Sequence, residues 1–169
     1  MERIERLAKE ALVRRGVHFL LIITLGLLAY SNTFNVPFQW DEYDYITQNP
    51  IVKDASYFIH PSKAQGLRQY DSLINRFIGY LTFALNYKIH GLSVTGYHIV
   101  NIAIHLINAF LVYFLVILTF KTPNLKESSL KEKSPYIALF SALIFVSHPV
   151  QTEAVTYIFQ RLASLTALF

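Results

Sequence analysis

Cysteine is absent from this chain of 169 residues, and charged residues are scarce. Without cysteine, disulfides and thiolate metal sites are excluded. Only 15% of the residues are charged, whereas soluble domains carry roughly 25%. There is also no glycine-rich phosphate loop and no basic stripe interleaved with aromatics, so no nucleic acid partner is predicted. The chain is 53% apolar, and its apolar residues lie in long runs, which indicates a membrane protein.

The uncharged runs predict three to four membrane-spanning helices, at about 17–34, 97–120, 136–151 and 162–169 onward. The first has 18 residues, about 27 Å of helix, which is enough to cross hydrocarbon. No small-x-small cleavage site follows it, which favours an uncleaved anchor over a signal peptide. Pro149 interrupts the third run, so that helix must kink or end in a protein-lined pocket. The last run stops without a flank, which predicts an N-terminal piece of a longer protein.

Basic residues set the expected orientation. Residues 1–16 carry five Lys or Arg and the loop 121–135 carries four, so both are predicted to be cytoplasmic. The loop 35–96 then lies on the outer side. Within it, residues 73–91 place Leu73, Phe77, Leu81 and Leu85 on one stripe, typical of a helix lying on the membrane surface. The sequence thus predicts an all-α polytopic membrane helix bundle (residues 17–169) behind a short cytoplasmic flank.

The stretch "NVPFQWDEYDYITQNP" (35–50) follows the first span and crowds three acids among aromatic residues. A carboxylate such as Asp41 at this interface, surrounded by aromatic residues, can act as a general base. Trp40 and the tyrosines can stack on a sugar. The alternative is a solvated turn whose aromatic residues form the ordinary interfacial belt.

The second span carries a polar face, because His98, Asn101, His105 and Asn108 follow helical spacing. These side chains either form hydrogen bonds between helices or line a wet path. Haem ligation is disfavoured, since the two histidines lie about 10 Å apart along one helix.

The stretch "HPVQTEAVTYIFQR" (148–161) supplies His148, Glu153 and Arg161 close to the interrupted third run. Ionisable groups at membrane depth are functional candidates. Arg161, or Arg76 in the outer loop, can hold a lipid-linked phosphate. Two alternatives stay open: an ion pair between Glu153 and Arg161, and a metal site at His148 and Glu153, although the spacing does not support a metal.

Three stretches together resemble a known family: "YSNTFNVPFQWDEYDYITQNP", "LTFALNYKIHGLSVTGYHIVNIAIHLINAFLVY" and "ALFSALIFVSHPVQTEAVTYIFQRLASLTALF". They are similar to the transmembrane and tetratricopeptide-repeat O-mannosyltransferases, including bacterial relatives, over about residues 25–169. The resemblance implies a GT-C type glycosyltransferase that moves a mannose-like sugar from a polyprenyl- or dolichyl-phosphate donor to a protein Ser or Thr hydroxyl. Further membrane helices and tetratricopeptide repeats would follow, and this piece alone would be inactive.

The resemblance also implies roles for particular residues. Asp41 would be the catalytic base, and Glu42, where relatives often have a second aspartate, would orient a substrate. Arg76, followed by Phe77 where the family usually has proline, matches an arginine of the family's outer loop, and His148, Glu153 and Arg161 match a motif assigned to the donor pocket. Together with Trp40 they are the expected donor-phosphate or substrate-binding residues. No metal ligand is assigned, and a divalent metal is left open.

The resemblance places the enzyme in a bacterial inner membrane or, in a eukaryote, the endoplasmic reticulum. Its expected partners are the lipid bilayer, the lipid-linked sugar and a protein acceptor. The competing interpretation is a non-catalytic polytopic protein, such as a transporter segment or a scaffold anchor, in which the polar face of the second span lines a path or a helix interface.

Overall fold

A computed structural model describes the backbone of residues 1–168, and the side chains of all of these except residues 2–4, 7 and 8. Over these residues the regular structure is helical, without strands. The α-helices are α1 (Glu2–Ala29), α2 (Pro50–Lys53), α3 (Ser56–Ile59), α4 (Tyr70–Asn75), α5 (Phe77–His90), α6 (Val94–Thr119), α7 (Ser134–Ser147), α8 (Thr152–Thr156) and α9 (Arg161–Thr166). Short 3-10 turns and one π turn, Tyr43–Thr47, connect some of them. The prediction of an all-α fold is confirmed.

Two helices are long and apolar enough to cross a membrane, over Lys9–Ala29 and Val94–Thr119. A third span arises if Lys131–Ser147 and Pro149–Thr156, which a bend separates, cross as one unit. The helix breaks at His148, whose ψ of 129° is extended. Proline disfavours the helical conformation of the residue before it, and Pro149 follows directly. In the predicted fourth span, α9 ends at Thr166 and residue 169 lies outside the described residues.

The chain divides into two compact units. Unit 1 comprises Met1–Ser31 and His105–Gln151, and unit 2 comprises Asn32–Ile104 and Thr152–Phe169. In unit 1, α1 packs on α7 and on the second part of α6 around a core of Ile22, Ala109, Tyr113, Ala138, Leu139, Ala142 and Val146. Small residues allow this close packing, as is usual between membrane helices. A Cβ added at Gly26 would lie 2.7 Å from Leu106 Cδ2.

Unit 2 is built from shorter helices around a second core, formed by Phe38, Ile46, Ile51, Val52, Ala64, Leu73, Tyr80, Phe83, Tyr97 and Ile158. The single amphipathic helix predicted over residues 73–91 is wrong, because the chain breaks at Arg76 (φ −132°, ψ 40°) between α4 and α5. Within α5, Tyr80 and Phe83 are buried, whereas Leu81 is partly buried and Leu85 is exposed, and the placement of this helix on a membrane surface stays a prediction. Arg76 is exposed at this break.

Candidate active site

The adjacent acids Asp41 and Glu42 have different environments. Asp41 is exposed, whereas Glu42 is only 1% exposed. Its carboxylate accepts hydrogen bonds from the backbone N–H groups of Gln39 (2.7 Å) and Phe159 (3.0 Å). Burial raises the pKa of Glu42, and these backbone donors oppose the shift only in part. Glu42 therefore ties the acidic loop to the segment before α9, while Asp41 stays free to meet a ligand.

Trp40, directly before this pair, has a positive φ of 48°. Such a conformation is rare for a bulky residue and costs about 1–2 kcal/mol. The indole side chain is nevertheless 83% exposed, so packing does not compensate for this cost. A strained residue of this kind is a recognised feature of functional sites.

The loop ahead of the acids is fixed by the start of α6. His98 Nε2 donates to the Val36 carbonyl (2.8 Å), and Thr95 Oγ1 donates to the Phe34 carbonyl (3.1 Å). Asn101 Nδ2 donates to the Val155 carbonyl (3.2 Å) and the Ile158 carbonyl (3.3 Å). In unit 1, His105 Nε2 donates to the Val146 carbonyl (3.1 Å). These contacts give the polar face of α6 the hydrogen-bonding role that was one of its two predicted alternatives.

Arg161 is fully buried in unit 2. Its Nε donates to Asn101 Oδ1 (2.7 Å), and its Nη2 donates to Asn86 Oδ1 (2.9 Å) and to the Tyr97 carbonyl (3.0 Å). Its guanidinium also lies over the Phe83 ring, 4.6 Å from the centroid. The pKa of Arg161 is lowered by burial to about 9, so the group remains protonated at neutral pH. This cation thus joins α5, α6 and α9 through neutral oxygens.

These contacts leave Arg161 without the carboxylate partner proposed from the sequence. Among the described residues no ion pair joins it to Glu153, which is exposed. Arg161 is also absent from the residues that line the two cavities of unit 2. Its position therefore supports a structural role, and a phosphate-binding role for it stays a prediction that this arrangement does not favour.

The first cavity, here the Arg76 cavity, has a volume of about 740 Å³. Asp41 and Arg76 are its charged lining residues. The remaining lining residues are Ile74, Asn75, Phe77, Ile78, Gly79, Tyr157, Phe159, Gln160, Leu162, Ala163, Leu165 and Thr166. A carboxylate and a guanidinium, 35 positions apart in the sequence, thus face one largely apolar space, and its volume is typical of a small-molecule site.

The second cavity, here the Trp40 cavity, has a volume of about 470 Å³ and is lined by Pro37, Gln39, Trp40, Glu42, Thr152, Glu153, Thr156 and Tyr157. Its lining contains two acids and no basic residue. Tyr157 lines both cavities, and burial together with the nearby Asp41 carboxylate raises the pKa of its phenol. The sequence did not indicate Tyr157 as a site residue, although it lies inside the "TEAVTYIFQR" stretch that contains Glu153 and Arg161.

The predicted site residues thus fall into separate groups. Asp41 and Arg76 share one cavity, and Trp40, Glu42 and Glu153 share the other. His148 belongs to unit 1, where its exposed ring accepts a hydrogen bond from Val150 N at Nδ1 (3.2 Å). Within the residues that the structure describes, no group of three or more His, Asp or Glu side chains is arranged to hold a metal ion.

The described residues form an all-α protein with helices long enough to span a membrane. Its Arg76 cavity combines a carboxylate and a guanidinium with walls of mainly apolar side chains. The chain is similar to a protein O-mannosyl-transferase of Caenorhabditis elegans, with 30% identity over 98% of the chain and 24% of that protein. It is 27% identical to the Drosophila melanogaster protein O-mannosyl-transferase Tmtc3, over 92% of the chain and 18% of the relative. The human protein O-mannosyl-transferase TMTC4 is 34% identical over 53% of the chain and 12% of its own length.

The chain is therefore a homologue of the protein O-mannosyl-transferases, and the family resemblance seen in its sequence is confirmed. It spans about a quarter or less of the length of these curated relatives. No family model and no solved structure matches it.

Proposed function

We propose that this chain is part of a membrane glycosyltransferase whose reaction centre is the Arg76 cavity. The donor is a polyprenyl-phosphate sugar, and the acceptor is a hydroxyl group of a protein Ser or Thr on the non-cytoplasmic face. The observation that carries the proposal is that Asp41 and Arg76 face the same cavity. The names of the relatives, protein O-mannosyl-transferases, support the same reaction class.

The proposed chemistry needs a base and a cation at one centre. The acceptor oxygen attacks the anomeric carbon, its proton passes to the Asp41 carboxylate, and the bond between that carbon and the phosphate oxygen breaks. The phosphate leaves with the electron pair of that bond, and the Arg76 guanidinium stabilises its charge, since guanidinium groups bind phosphate in a bidentate manner. Asp41 suits this role because it is exposed, whereas the adjacent Glu42 is held by two backbone N–H groups.

The walls of the cavity suit the lipid part of such a donor. An isoprenoid chain can pack against an apolar surface in this cavity. The surface is formed at the junction of α4 and α5 by Ile74, Phe77 and Ile78, and on α9 by Leu162 and Leu165. Gly79 keeps this junction close to α9, because a Cβ added there would overlap Leu162 Cδ2. The polyprenyl group would lie along this surface, with its phosphate at Arg76.

Asp41→Asn in the full-length protein that contains this chain tests the proposal. Loss of a positioned general base is expected to lower kcat by about 10²- to 10⁴-fold, while donor binding changes little. Arg76→Gln is expected to weaken binding of an isoprenyl phosphate, measured by displacement of a labelled analogue. Asp71→Asn is the matched control, because this exposed acid of α4 lines neither cavity.

The opposite outcome is equally clear. Transfer that continues at the wild-type rate in a folded Asp41→Asn variant would remove Asp41 as the base, whereas a folded wild-type protein that transfers no sugar would favour the non-catalytic alternative. In that alternative the polar face of α6 lines either a transport path or a helix interface. The hydrogen bonds of His98, Asn101 and His105 to backbone carbonyls disfavour the path and are compatible with the interface.

A further inference from the structure

The two cavities of unit 2 differ in charge. The Arg76 cavity contains one cation and one anion, whereas the Trp40 cavity contains two acids and no basic residue. An anionic phosphate is disfavoured in the Trp40 cavity, because the carboxylates repel it and no Lys or Arg lines this cavity to offset the repulsion. A donor phosphate therefore fits only one of these spaces, and the other requires a ligand of different chemistry.

We propose that the Trp40 cavity binds the acceptor, an extended polypeptide segment with basic residues next to its Ser or Thr, and that Glu153 selects for those basic residues. This inference rests on the proposed function for the identity of the acceptor. It moves Glu153 from the donor to the acceptor, and it assigns Trp40, expected from the sequence to bind a substrate, to the acceptor as well.

The lining of the cavity matches a peptide. Glu153 is exposed and lies in no ion pair within the described part of the chain, so its carboxylate is available to a Lys or Arg of a ligand. Gln39, Thr152 and Thr156 carry side-chain groups that can bond to a peptide backbone. The exposed Trp40 indole supplies a flat surface for aliphatic or cationic side chains.

The position of the cavity also suits an acceptor. Trp40 and Asp41 are consecutive, yet they line different cavities, and Tyr157 lines both. A peptide in the Trp40 cavity therefore lies next to the loop that carries the proposed base. Glu42 also lines the Trp40 cavity as a buried side chain, and it accepts hydrogen bonds from Gln39 N and Phe159 N, which join the loop before Asp41 to the segment before α9.

A direct binding experiment is possible because Trp40 is the only tryptophan of the chain. The 169-residue chain in nanodiscs of neutral lipid is titrated with short peptides that contain one threonine flanked by lysines, alanines or glutamates. The lysine peptide is expected to change the Trp40 emission at the lowest concentration, and added salt is expected to weaken this binding. The readout needs no transfer reaction, so its result is independent of the role of Asp41.

Glu153→Gln is the informative variant, with Asp71→Asn as the control. Loss of one partly exposed charge pair is expected to raise the Kd for the lysine peptide about twofold to tenfold, and to bring it close to the Kd for the alanine peptide. The Asp71→Asn variant is expected to bind like the wild type. Because Glu153 is exposed, the circular dichroism spectrum of its variant is expected to stay unchanged.

Three results would overturn the inference. One is an equal affinity for all three peptides, or for the lysine peptide before and after Glu153→Gln. Another is a shift of Trp40 emission caused by a short-chain isoprenyl phosphate, which would return this cavity to the donor. The third is quenching of Trp40 by brominated lipid without any response to peptide, which would make it an ordinary interfacial tryptophan.

Discussion

Unit 1 and unit 2 use different means to hold their helices together. In unit 1 the described core is apolar, and its small residues Gly26, Ala109, Ala138 and Ala142 let the helices pack closely. In unit 2 the buried polar side chains are numerous: Thr33, Glu42, Asn49, Gln69, Asn86, His98, Asn101 and Arg161. The buried polar residues of unit 1 are His18, His105 and Asn108. This difference in buried polar residues follows the backbone, because unit 1 consists mainly of long helices and unit 2 mainly of short helices and loops.

The comparison teaches where directional bonds are needed. Long helices satisfy their own backbone groups, so apolar packing is sufficient to hold them. The loop 32–49 and the segment 157–160 cannot do this, and polar side chains supply the missing partners. Such bonds fix a single geometry, which a site for chemistry requires. Both cavities accordingly lie in unit 2.

The largest expected effect on this contrast comes from Arg161→Met. The change leaves the Oδ1 atoms of Asn86 and Asn101 buried without their donor, at about 1–3 kcal/mol each. A loss of about 3 kcal/mol or more is expected in unit 2. Hydrogen exchange measured by mass spectrometry checks it, since protection in residues 77–104 and 152–166 is expected to fall while α1 and α7 keep theirs.

Arg68→Met is the matched control for that experiment. Arg68 also belongs to unit 2, but its side chain is 73% exposed and pairs with Asp44 at the surface (3.1 Å). Its replacement is expected to change stability by less than about 0.5 kcal/mol. Equal effects of the two substitutions would mean that the buried network is not what stabilises unit 2.

In unit 1, replacement of glycine by alanine at two positions of α1 tests whether close helix packing stabilises this unit. Gly16→Ala is expected to stabilise the helix by about 0.5–1 kcal/mol, because a Cβ there meets nothing within 4 Å. Gly26→Ala is expected to destabilise unit 1 by about 1–2 kcal/mol, since its Cβ would lie 2.7 Å from Leu106 and 3.0 Å from Val146. Thermal unfolding in detergent measures both, and stabilisation by both would show that α1 is not closely packed at Gly26.

Glu42 links unit 2 to pH. Because burial raises its pKa in the folded state above the usual value of 4.5, its favourable contribution is complete below that value and is lost as pH rises through the folded pKa. Stability is therefore expected to fall as pH rises through this window. The titratable side chains that lie near Glu42 are Asp41, Glu153 and Tyr157. Glu42→Gln is expected to flatten that slope in urea unfolding measured at several pH values. An unchanged slope would assign it to another group.

The sequence indicated the long helices and the candidate site residues, but not the division of those residues between two cavities. Uncharged runs identify membrane-length helices because the hydrocarbon thickness fixes their length, and Asp41 and Arg76 stood out by residue type. The break at Arg76 could not be seen, since neither proline nor glycine stands there. Nor could the burial of Glu42 and Arg161, because their partners Phe159, Asn86 and Asn101 meet them only in the folded chain.

The smallest effect concerns Trp40, where stability and binding are expected to oppose each other. Trp40→Gly removes the cost of a positive φ, about 1–2 kcal/mol, but adds backbone entropy to the unfolded chain, about 0.5–1 kcal/mol. With the indole 83% exposed, little packing is lost, and a net gain of up to about 1 kcal/mol is expected in thermal unfolding followed by circular dichroism.

The same variant is expected to bind the lysine peptide more weakly, measured with a fluorophore on the peptide. Such a trade of stability for binding is what a strained binding residue implies. A variant that is less stable than the wild type would instead show that the indole packs, and the exposed surface proposed for the acceptor would have to be assigned elsewhere.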